Sequence, residues 1–148
     1  MGWFGARRAQ PRPEAVLRED DALGRIGLLA VLEEAVAHLD RAEDLLERCS
    51  RGAPLRASDA RTGLALRVSF TQLSRWIETM PCPDDQLLLR DQAACLLRYY
   101  LLMVATALDA AFVPAGGRHI AIRARGPERG TPAMSLVALR DELRDSAA

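Results

Sequence analysis

Residues 28–49 read LLAVLEEAVAHLDRAEDLLERC, and their periodicity decides the fold. Leu28, Leu32, Ala35, Leu39, Ala42, Leu46 and Cys49 recur at alternating spacings of four and three. Side chains three and four apart share one face of a helix, so these positions form a continuous apolar seam. Glu33, Glu34, Asp40, Asp44 and Glu47 fall largely off it. The pattern predicts an amphipathic helix from about Asp21 to Cys49, with a short helical stretch beginning at Glu14 before it. Gly52 suits the region just beyond the helix end, and Pro54 cannot continue it. Gly24-Arg25-Ile26-Gly27 is too short for a phosphate-binding loop and reads as close packing or a kink.

Working outward, Leu66, Phe70, Leu73, Ile77 and Met80 repeat the same spacing. They predict a second helix that starts near Ser58 as N-cap, with Asp59 in its first turn. Met80-Pro81-Cys82-Pro83 ends it. Pro83 opens a third helix to about Val113, where Asp84 and Asp85 complement the helix dipole. So short a connection makes the second and third helices antiparallel neighbours. From Ala93 to Val113 only Arg98 and Asp109 are charged. A helix this apolar is either central in a bundle or in a membrane. The uncharged run between those two residues is too short to span a bilayer, which needs ~20 apolar residues. The third helix is therefore read as buried core. After Pro114, His119 to Arg125 has a short β-like character. Thr131-Pro132 then begins a short last helix to about Asp145, with Leu136, Leu139 and Leu143 on one face.

The expected fold is all-α: an antiparallel bundle of three long helices plus a short C-terminal helix. A length of 148 residues suits one domain. Residues 1–13 are read as a flexible basic and aromatic arm, and 14–148 as the helical-bundle domain. With 49% hydrophobic and 27% charged residues the chain is too apolar for a disordered protein. Arg supplies all 20 basic charges, and Lys and Asn are absent, as codon usage in a GC-rich genome would produce. Zero net charge removes any global pull toward nucleic acid or an anionic membrane. The distribution is uneven. Residues 19–49 carry nine acids and three Arg, and residues 50–80 carry five Arg and two acids. That polarity favours pairing of the first two helices.

Cys49, Cys82 and Cys95 are odd in number and show no C-x-x-C spacing. They form neither a disulfide framework nor a zinc site, and a reducing cytoplasm fits best. No long apolar run marks the N-terminus as a secretory signal. His38 follows Glu34 at Glu-x-x-x-His, which is not the Glu-x-x-His spacing of di-iron bundles. Neither metal nor cofactor is expected, and no catalytic constellation stands out.

Three features remain as candidate binding residues. Trp3 and Phe4, followed by Arg7 and Arg8, have the composition of a protein-docking peptide or a peripheral membrane anchor. Arg118, Arg123, Arg125 and Arg129 form a basic segment suited to an acidic partner, or to balancing the acidic first helix. No aromatics interleave with them, which weighs against single-stranded nucleic acid. Arg98, Tyr99 and Met103, with Tyr100 and Thr106, would line a pocket between helices two and three, Arg98 contacting an anion. Seams this apolar exceed what one chain covers, which suggests a homodimer burying part of the first or third helix. The functional expectation is a non-enzymatic protein-interaction or regulatory module. A small-ligand-binding bundle is the alternative.

Overall fold

The seam of residues 28–49 is buried along its whole length. A computed structural model describes residues 13–112 and 130–146, with side chains described for 19–110 and 130–146. Among these residues there are four helices and no strand. They are α1 (Pro13–Ser50), α2 (Ala57–Thr79), α3 (Leu87–Phe112) and α4 (Thr131–Ser146). A 3₁₀ turn, Asp84–Gln86, precedes α3. The fold is an all-α bundle of three long helices and a short C-terminal one.

α1 is a single helix of 38 residues rather than a short stretch followed by a long one. Pro13 sits in its first turn, where a missing N–H costs nothing. Gly24 does not kink it. A Cβ at Gly24 would lie 2.8 Å from the Pro81 carbonyl oxygen and 3.0 Å from Pro83 Cδ. The glycine is there so that α1 can touch the turn between α2 and α3.

α2 begins two residues earlier than the sequence predicts, with Arg56 as its N-cap. Ser58 is not the cap. Asp59 instead turns back to accept the Arg56 backbone N–H at 2.8 Å, half of a capping box. Leu66, Phe70, Leu73 and Ile77 are buried as the spacing requires, whereas Met80 lies past the helix end and only half-buried. It reaches over Gly27, its Cε 3.6 Å from where a Cβ would stand.

α1 and α3 pack against each other and each also packs on α2 and α4. The most extensive pairing is α2 with α3, as the short connection requires. α4 lies against α1 and α3 through Leu136, Leu139 and Leu143, all buried. It covers part of α3, but Leu88 and Leu102 stay exposed. An 18-residue window within Asp84–Ala110 has a mean hydropathy of 1.4, long and apolar enough by composition to cross a membrane, and half of that window is buried inside the bundle.

The charge pattern acts differently from the expectation. The α1–α2 ion pair among the described residues runs from Arg48 of α1 to Asp59 of α2, 3.3 Å. The acids of α1 serve other neighbours, as Glu33 does by accepting from Arg144 of α4 at 2.7 Å. Exposed pairs of this kind contribute ~0–1 kcal/mol, so packing sets the arrangement.

The two α1 glycines give opposite expectations. Alanine gains roughly 1 kcal/mol over glycine inside a helix. At Gly27 the new methyl meets only ordinary contacts, so Gly27→Ala should raise the urea midpoint. At Gly24 it meets backbone, and overpacking costs about 1–3 kcal/mol. Gly24→Ala should lower the midpoint, and a rise there would show that α1 does not touch the Pro81 turn.

Candidate functional site

Small residues on α1 leave a space that no side chain fills. Gly27 and Ala30 face α2, and together with Val31 they form one wall of a groove enclosing ≈ 530 Å³. Leu73, Trp76 and Met80 form the other wall, with Ser69, Gln72, Thr79 and Glu34 at its rim. Trp76 remains 55% exposed, the larger part of an indole in water. An apolar trough that exposes its largest aromatic marks a candidate interaction surface.

The groove changes character along its length. Ser69 also borders a second depression of ≈ 250 Å³ lined by His38, Arg41, Arg61 and Thr62. The apolar floor therefore runs into a cationic, hydroxyl-bearing end. From Gly27 to Arg41 the helix rises about 21 Å at ~1.5 Å per residue.

His38 lines the cationic depression, one turn along α1 from Glu34 on the groove rim. Its Nδ1 is 3.1 Å from an Arg41 guanidinium nitrogen. Guanidinium only donates, so Nδ1 accepts and the ring proton resides on Nε2. Nε2 lies 3.1 Å from Glu34 Oε1. The atom is buried and the approach is off-line, so no hydrogen bond forms. The ring stands edge-on to Phe70, centroids 6.1 Å apart. His38 is thus an oriented wall residue with one carboxylate. Among the described residues no three His, Cys, Asp or Glu side chains gather to hold a metal ion.

The structure does not collect Arg98, Tyr99 and Met103 around one cavity. Arg98 is exposed and donates to Glu78 of α2 through both Nε and a terminal nitrogen. That carboxylate is its ion-pair partner among the described residues. Arg98 borders a depression of ≈ 220 Å³ shared with Arg90 and Asp91. Tyr99 is half-buried, edge-on to Tyr100 at 5.4 Å. Met103 belongs to the core. Trp3, Phe4, Arg118, Arg123, Arg125 and Arg129 lie outside the described residues, as do the 1–13 arm up to Arg12 and the β-like 119–125 segment.

Tyr100 is fully buried and holds the core together behind the groove. Its ring stacks on Phe70 at 5.5 Å and 17°. Its hydroxyl donates to Glu43 Oε1 of α1 at 2.5 Å. Burial, and then the Glu43 bond, push its pKa well above the ordinary tyrosine value.

No known family, curated protein or solved structure matches this chain.

The raised pKa gives a signed pH dependence. The folded state keeps the Tyr100 proton where the unfolded chain releases it, near ~10. Stability from Tyr100 is therefore complete below that pH and lost as pH rises above it. Tyr100→Phe should cost about 1–3 kcal/mol near neutrality by stranding the half-buried Glu43. It should also flatten the alkaline decline in stability. An equally steep decline above pH ~10 in the variant would show that Tyr100 does not hold that bond.

Proposed function

We propose that the chain is a non-enzymatic interaction module whose α1–α2 groove receives an amphipathic, acidic helix of a partner protein. The groove itself supports this reading: it pairs an apolar floor under an exposed Trp76 with a cationic end at Arg41 and Arg61. Helix-in-groove recognition uses apolar anchors at helical spacing, and Trp and Arg dominate the energetics of such contacts. A partner helix of about 14 residues spans the ~21 Å between Gly27 and Arg41. Its apolar face would cover Leu73, Trp76 and Met80. Its carboxylates would meet Arg41 and Arg61 by charge-assisted hydrogen bonds. Glu34 on the rim disfavours an acid midway along the partner. The site is an open trough rather than an enclosed pocket, which favours a helix over a small molecule.

A regulatory role in a reducing cytoplasm is consistent with this proposal, since Cys49, Cys82 and Cys95 are all free thiols.

The test places a photo-crosslinking amino acid at position 76 in cells that produce the protein, with position 64 on the outer side of α2 as control. The expected result is one discrete adduct from position 76 and none from 64. The crosslinked peptide should be an acidic amphipathic segment. The adduct should fall at least ~10-fold in Arg41→Glu/Arg61→Glu, as losing two charge-assisted contacts implies. No adduct, or one indifferent to the two arginines, would overturn the assignment.

A further inference from the structure

Among the described residues, α3 carries exposed side chains that no other helix covers. Leu88 is 73% exposed and Leu102 56%, and Cys95 between them is exposed too. The three occupy one heptad position, so they form a single line along the helix. That line is symmetric about Cys95, with a leucine seven residues to either side.

The flanks share the symmetry. On the side toward α2 lie Asp91 and Arg98, which border one depression with Glu78. On the side toward α4 lies Gln92, which with Cys95 edges a trough of ≈ 460 Å³ against Ser135 and Ala138. Tyr99 stands one heptad beyond Gln92 on that flank. An isologous contact requires such a self-complementary arrangement.

We propose that a second copy of this chain docks on this face, its α3 antiparallel to the first and the dyad passing at Cys95. Leu88 of each copy then meets Leu102 of the other. Asp91 of each stands beside Arg98 of the other, and Gln92 beside Tyr99. In the parallel alternative the dyad runs along the helices and exchanges the flanks, so Asp91 and Arg98 would face Gln92 and Tyr99 and the charge pairing would be lost. Arg98 already holds Glu78, so one guanidinium fork would serve two carboxylates, as its five donors allow. The groove is lined by α1 and α2 and the residues at their ends, with none from α3. The dimer contact is therefore independent of the groove.

Cys95 reports on the geometry. Contacting helices have axes ~8–10 Å apart and Cα atoms ~2.3 Å from each axis. Two Cys95 Cα atoms on the dyad are then roughly 3.4–5.4 Å apart, overlapping the disulfide range of ~4.4–6.8 Å. Cys49 is buried and Cys82 half-buried, and burial pushes both thiols up, leaving Cys95 the accessible one.

The experiment uses the full chain. Reduced protein should sediment as a dimer at micromolar concentration. Diamide, which takes one hydrogen from each of two thiols, should give a covalent dimer on a non-reducing gel. That band should vanish in Cys95→Ser and persist in Cys82→Ser. Leu102→Glu should raise the dimer dissociation constant at least ~10-fold with helical circular dichroism unchanged. Asp91→Arg should weaken it comparably, and adding Arg98→Asp should restore it to within ~3-fold. A monomer at ~100 µM, a crosslink that survives Leu102→Glu, or a charge swap that fails to restore association would each overturn the proposal.

Discussion

The hydrogen bond from Tyr100 to Glu43 fixes the rotation of α1 against the rest of the bundle. Tyr100 is fully buried, and its hydroxyl reaches the half-buried Glu43 carboxylate at 2.5 Å. A buried hydroxyl without a partner costs about 1–3 kcal/mol, so α1 must present Glu43 at that height and angle. Turning α1 by one residue would swing the carboxylate ~100° away. Phe70 of α2 stacks on the same ring, so three helices meet at one side chain. The buried seam from Leu28 to Cys49 demands the same rotation, and the other α1 contacts agree with it. Glu33 faces Arg144 of α4, Arg25 faces Asp85 of the 3₁₀ turn, and Gly27 and Ala30 face α2.

The seams were legible because burial leaves a period. Leu28 to Cys49 on α1 and Leu66 to Ile77 on α2 are buried as spacing alone predicts, and α4 buries its three leucines. The groove was not legible, because periodicity says which side of a helix is covered and not how closely the cover fits. Its signal was present in the small pair Gly27 and Ala30, one turn apart, opposite a tryptophan on the next helix. Gly24 read only as close packing or a kink, since its neighbour Pro81 is remote in sequence. Arg98, expected to line a pocket between helices two and three, stands largely exposed. A charge inside an apolar run resembles a buried charge, but it falls on the outer side of α3, where Glu78 reaches it through solvent-exposed atoms.

Ion pairs do little of the stabilising. Arg98–Glu78, Arg144–Glu33 and Arg25–Asp85 join different elements but are largely exposed, and such pairs contribute ~0–1 kcal/mol each. The arginines are consequently free to serve recognition without loss of the fold. Among the described residues, Arg41 and Arg61 stand beside an apolar trough and Arg98 beside an exposed leucine line.

A closed core beside an open groove can be tested without any partner. Fluorine-labelled tryptophan at position 76, with Trp3 replaced by Phe, and fluorine-labelled tyrosine at position 100, assigned by replacing Tyr99, report solvent contact through the ¹⁹F shift between H₂O and D₂O. Trp76 should show a clear solvent-isotope shift and Tyr100 none. A silent Trp76, or a Tyr100 that responds as strongly, would contradict the arrangement of open groove and sealed core.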